Sequence, residues 1–146
     1  MRQFGAIAIA FAGMAGTAAS AADGPSGVWM TEERDSKIRI ASCGRALCAT
    51  ILWAKGGGVD DQNPDPKLRQ RAIVGLDLSR DIRPDGKGGW QASMYNPENG
   101  RTYRTTLTPK GGELEVGGCV LGGLICGSET WRRSGDIAGH LPSGRD

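Results

Sequence analysis

Apolar side chains recur along this chain at every second position, far more often than at every third or fourth, and this constrains the fold most. Successive side chains of a strand point to opposite faces, so a period of two marks a strand with one buried face. Ile38 and Ile40 alternate with Lys37 and Arg39, and Ala49, Ile51 and Trp53 with Cys48, Thr50 and Leu52. The same beat runs through Val74, Leu76 and Leu78, through Trp90, Ala92 and Met94, through Tyr103, Thr105 and Leu107, and through Leu114 and Val116. With residues 27–31 and 125–133 added, about eight strands are expected. Turn chemistry separates them: Asn96-Pro97-Glu98-Asn99-Gly100 and Pro109-Lys110-Gly111-Gly112 are hairpin turns, and residues 84–89 form a looser one. The pattern predicts an all-β chain folded as a compact antiparallel barrel of about eight strands, a sandwich being the other arrangement of such strands.

The longest break between strands covers residues 56–70. Its Asn63-Pro64-Asp65-Pro66 forbids a ladder, because each Pro lacks an N–H and restricts its predecessor. Asp65 as N-cap and Pro66 as first helical residue predict one short helical turn near residues 66–71.

The N-terminus carries an export signature. Arg2 precedes an apolar run rich in Gly and Ala, and Ala19-Ser20-Ala21 has the small-x-small form of a signal-peptidase site. Residues 1–21 are therefore expected to be a signal peptide, the run being too short to span a bilayer comfortably. Residues 24–133 form one domain, and residues 134–146 read as a disordered tail. A periplasmic or secreted location follows, with nothing membrane-spanning after processing. Loss of Arg2 leaves 17 Lys and Arg against 16 Asp and Glu, scattered along the chain. So even a balance is no footprint for nucleic acid.

Four Cys in an exported chain point to two disulfides. Of three connectivities, loop-closure entropy favours the local one, Cys43 with Cys48 and Cys119 with Cys126. A metal site is disfavoured, since neither pair has zinc-knuckle spacing and the only His, His140, lies in the tail. Asp61, Asn63 and Asp65 alternate like the start of a calcium loop, but Pro66 stands at the sixth position and Ala72 at the twelfth. No cofactor is expected.

No catalytic constellation emerges, so an enzyme is disfavoured. The tail His140 does not suit a nucleophilic triad. Glu98 with Asp61 or Asp65 is a carboxylate pair of the kind glycoside hydrolysis needs, although Glu98 also suits a turn. The aromatic residues are more informative. Trp53, Trp90 and Met94, with Tyr103 and Ile51, take the inward parity of their strands, as packed core or as the lining of a ligand cavity. Arg69 and Arg71 are candidates to hold an anionic headgroup at its rim.

Several blocks also carry a resemblance. Gly27-x-Trp29, Asn63-Pro64-Asp65-Pro66 with Leu68, Arg69 and Arg71, Gly75-Leu76, Tyr95-Asn96-Pro97-Glu98-x-Gly100-x-Thr102-Tyr103, Gly118-Cys119 with Cys126, and Trp131-x-Arg133 resemble the 2147 family of domains of unknown function. Those are small secreted bacterial proteins, and the resemblance implies the domain and compartment without an activity. Gly27-x-Trp29 and an Arg on the last strand also resemble lipocalin-like (calycin) barrels. That likeness implies Arg133 lying over Trp29 to close one end, both residues being structural. Arg133, unlike Arg132, shares a face with Trp131.

The reading taken forward is non-enzymatic binding of a small, partly apolar ligand such as an acyl chain or lipid fragment. The alternatives are a structural or envelope-protein-binding module, marked by a filled barrel, and a carboxylate-dependent hydrolase, marked by carboxyl groups converging in a cleft.

Overall fold

The computed structural model describes residues 24–120 and 125–135. The signal peptide expected over residues 1–21 lies outside them, as does the tail expected over residues 134–146 apart from Ser134 and Gly135. Ser134 is tied to the first strand by its N–H, which donates to the Val28 carbonyl at 2.8 Å. Eight strands follow one another around a closed antiparallel barrel: β1 (Gly27–Met30), β2 (Ser36–Ser42), β3 (Leu47–Ala54), β4 (Asp77–Pro84), β5 (Trp90–Asn96), β6 (Arg101–Lys110), β7 (Glu113–Val120) and β8 (Ile125–Arg133). Closure is made by Trp29 pairing with Arg133 and Met30 with Arg132. A closed barrel leaves no unpaired sheet edge, which lets a chain this short stay a single curved layer.

Inward residues alternate with outward ones as the period-two pattern requires. Ile38 and Ile40 of β2, Ala49 and Ile51 of β3, Ala92 and Met94 of β5, Leu107 of β6 and Leu114 and Val116 of β7 all enter one core. The 3-10 turn Pro66–Leu68 is capped by Asp65, whose side chain accepts from the Lys67 N–H at 3.0 Å.

Two expectations are corrected. The strand expected over residues 74–78 starts at Asp77 and runs to Pro84, leaving Val74 exposed. Leu78 and Ser79 are both buried, so alternation breaks there and hides the strand's continuation from a parity count. The second correction concerns Trp53. Lys37 pairs with Trp53 and the next residue, Ile38, with Ile51, so Leu52 is the extra residue of a bulge. A one-residue insertion moves everything beyond it to the other face. Trp53 therefore joins Lys37 outside, 39% exposed, instead of entering the lumen.

Both disulfides are local, Cys43–Cys48 across the β2–β3 turn and Cys119–Cys126 between β7 and β8. They fit an oxidising, extracytoplasmic environment. Because each closes a loop of only a few residues, chain entropy assigns about 2–2.5 kcal/mol to each. Reduction is expected to lower the melting temperature and leave the barrel folded, as near-ultraviolet circular dichroism of reduced, alkylated protein would report. Loss of all fixed tertiary signal at room temperature would contradict this.

Candidate functional site

The two ends of the barrel differ. At the end formed by the N-terminal approach to β1, the β4–β5 and β6–β7 turns and the last residues of β8, side chains fill the interior. Trp29, Ile40, Ala49, Ile82, Leu107 and Leu114 are almost wholly buried there. The Trp29 indole N–H donates to the Pro25 carbonyl at 2.8 Å, and the Arg133 guanidinium lies over the indole, 4.4 Å from its centroid. Arg133 also donates to the Ser26 carbonyl at 3.2 Å. Glycine is required at Gly27, where a Cβ would stand 2.6 Å from Arg133 Nη1 and φ is 139°.

Towards the other end the side chains no longer meet. A cavity of about 570 Å³ opens between Ile38, Ile51, Leu78, Met94, Thr105, Val116 and Trp131, with Tyr103 and Gly118 on its wall. Its size lies within the range of small-ligand sites. The glycines of β7 and β8 help to keep it hollow, since the inward positions Gly118 and Gly127 face each other across the ladder without side chains.

Carboxylates surround the mouth. Glu32, Glu33 and Asp35 come from the β1–β2 turn and Glu98 from the β5–β6 turn, and ligand atoms of Glu33, Asp35 and Glu98 all lie within 4.8 Å of one another. Of the carboxylates considered with Glu98 from the sequence, Asp61 lines a second, adjoining pocket together with Glu98 and Asp35, and Asp65 caps the 3-10 turn. Glu129 stands deeper, on the inward face of β8 opposite Val116, and its carboxylate accepts from the Trp131 indole N–H. Burial pushes its carboxyl above the usual carboxylate range; the Trp131 bond opposes this, and the charges of Glu32, Glu33 and Glu98 add to it. Among the described residues, no Lys or Arg lines this cavity.

A clamp holds the long β3–β4 loop beside the mouth. Asp60 is fully buried, and its carboxylate accepts from the Tyr95 hydroxyl at 2.6 Å, Asn63 Nδ2 at 2.8 Å and Arg71 Nε at 2.9 Å. Burial disfavours its charge, but those three donors hold its pKa below the ordinary value. The Tyr95 hydroxyl is pushed up to about 12 by burial and by its bond to Asp60. Gly100 lets the loop approach the β5–β6 turn, since a Cβ there would come within 1.9 Å of the Gln62 carbonyl oxygen. The Asn-Pro-Asp-Pro and Tyr-Asn-Pro-Glu blocks, far apart in sequence, meet in this clamp.

Of the residues expected to line a ligand site, Met94 and Tyr103 lie on the wall of this cavity, as does Ile51. Trp53 is outside for the reason already given. Trp90, the first residue of β5, lies at the packed end, paired with Pro84 and Leu107 and near Gly24. Arg69 and Arg71 do not line the cavity. Arg69 donates to the Asn63 carbonyl at 2.8 Å, and Arg71 is bound to Asp60 and lies over the Tyr95 ring at 5.9 Å. Trp131 and Glu129 were missed as cavity residues, although both share the parity that placed Arg133 inward on β8.

A family model described as "Uncharacterized protein conserved in bacteria (DUF2147)" matches residues 27–133. No curated protein matches the chain. Among solved structures, the barrel is similar to protein HP1028 from the human pathogen Helicobacter pylori, described as belonging to the lipocalin family, with a TM-score of 0.69 and 24% identity. That similarity covers 78% of this chain and 86% of the other, and it concerns the fold.

Proposed function

The chain belongs to the DUF2147 family of bacterial proteins, and from its half-hollow barrel we propose that it is an exported protein that binds a small, partly apolar ligand without transforming it. The observation that carries this reading is the open cavity of about 570 Å³ walled by Ile38, Ile51, Leu78, Met94, Val116 and Trp131. A purely structural barrel has no use for such a void. Being open, it holds water, so its wall atoms face solvent where a packed core would give them dispersion contacts and bury their apolar surface. An apolar ligand restores those contacts, and each methylene it buries contributes about 0.8 kcal/mol before the costs of association. The lipocalin-type fold supports the same reading, because barrels of this size are wide enough to hold one small ligand.

Export and binding are tested on one preparation. Protein recovered from a bacterial periplasm is expected to begin at Ala22 or Asp23 by intact mass, and to bind a fluorescent apolar probe saturably. Met94→Trp adds bulk to the wall and is expected to weaken probe binding at least tenfold while the melting transition stays cooperative. A retained Met1 would remove the export half of the proposal. Probe binding unchanged in Met94→Trp would show that the probe sits elsewhere, and the binding half would fail.

A further inference from the structure

Resting on the binding function just proposed, the geometry points to a cationic amphiphile as the ligand: an aliphatic or aromatic body in the cavity with an ammonium group at the carboxylates of its upper wall and mouth. We infer this from the placement of Glu129 inside the lumen. Glu129 faces inward between Gly127 and Trp131 on β8, half-buried, in a wall that is otherwise largely apolar or uncharged at that depth. A carboxylate so placed costs desolvation, and one indole N–H only partly offsets that cost. Nearby charges make matters worse, because Glu32, Glu33 and Glu98 all disfavour the ionised form of Glu129. The described cavity wall offers no Lys or Arg as counter-ion. Lys110 and Arg132 lie towards the packed end, ion-paired on the outer surface with Glu115 and Glu113, and Lys55 lines an adjoining pocket beside Asp35 and Glu98 without lining this cavity.

A ligand ammonium would supply the missing positive charge, and the Trp131 and Tyr103 rings on the same wall suit a cation as well as an alkyl chain. The same arrangement repels a fatty-acid carboxylate. That reverses the headgroup preference expected from Arg69 and Arg71, which the Asp60 clamp engages away from the cavity.

Three twelve-carbon ligands that differ only in headgroup test the inference: dodecylammonium, dodecanol and dodecanoate, each titrated below its aggregation limit by displacement of the apolar probe. Attraction to several partly exposed carboxylates predicts affinity about tenfold higher for dodecylammonium than for dodecanol, and weaker still for dodecanoate. In Glu129→Gln the ratio of ammonium to alcohol affinity is expected to fall by about threefold, the mouth carboxylates remaining, and 0.5 M salt should reduce the wild-type ratio in the same direction. If dodecanol or dodecanoate binds as tightly as the ammonium, the charge preference is wrong and the binding function stands. The preference is also overturned if Glu129→Gln leaves the ratio unchanged. If the probe binds and none of the three displaces it, the cationic amphiphile is overturned as the ligand; a probe that does not bind overturns the binding function itself, and the charge rule with it.

Discussion

Replacing Trp29 with alanine is expected to destabilise the protein by about 3–5 kcal/mol, a large share of the roughly 5–15 kcal/mol that holds a typical domain folded. The indole is wholly buried at the packed end of the barrel, where it fills volume that no neighbour can take over. It also satisfies the Pro25 carbonyl and carries the Arg133 guanidinium. Removing it opens a cavity beside the seam where β1 meets β8, and among the described residues that seam rests on the two pairs Trp29–Arg133 and Met30–Arg132 and the Ser134 N–H bonded to the Val28 carbonyl. Loss should therefore appear as failure to close the barrel as well as loss of core. Arg133→Ala removes an exposed cation held over the ring, and a smaller cost of about 0.5–2 kcal/mol is expected. The contact makes the two substitutions non-additive in urea unfolding, with the double mutant less destabilised than the sum. Additive effects would show that guanidinium and indole make no energetic contact.

Which residues face the barrel interior was legible in the sequence to the extent that parity was unbroken. Strands β2, β5, β6 and β7 keep strict alternation, so Ile38, Met94, Leu107 and Val116 fall inside as a period-two count requires. Where the backbone departs from alternation, the count fails. The bulge at Leu52 turns Trp53 outward, and the consecutive buried pair Leu78 and Ser79 conceals the length of β4. Neither irregularity has a marker residue such as Gly or Pro at the point where it occurs. Glu129 was readable, since it lies two positions before Trp131. A lone carboxylate in a strand is ordinarily read as solvent-facing, which is why the chemical character of the cavity stayed hidden. Trp90 had the right parity and the wrong depth, because alternation reports which face a residue takes and not how far along the barrel it sits.

The Asp60 clamp was invisible for a different reason. Its partner Tyr95 lies 35 residues away, and no spacing rule links a loop aspartate to a strand tyrosine at that distance. Asp60→Asn is expected to cost about 3 kcal/mol at neutral pH. Removing one partner of a buried ionic network costs about 3–5 kcal/mol. The lower end applies because Arg71, at 38% side-chain exposure, regains water when its partner is lost. The asparagine amide would also set a donor against the Tyr95, Asn63 and Arg71 donors, leaving at least one of them unpaired. The pH dependence follows from the direction of the shift. In the folded protein the Asp60 carboxyl titrates below its ordinary value of 3.8. The folded state thus binds this proton less readily than the unfolded chain does. Its contribution is complete above the unfolded value and is lost as pH falls through the lower, folded value. Wild-type and Asp60→Asn proteins should therefore differ most in melting temperature near neutrality, and their difference should narrow progressively below about pH 4. A difference that stayed constant into strong acid would mean that Asp60 acts through shape alone and that the charge of the clamp contributes nothing.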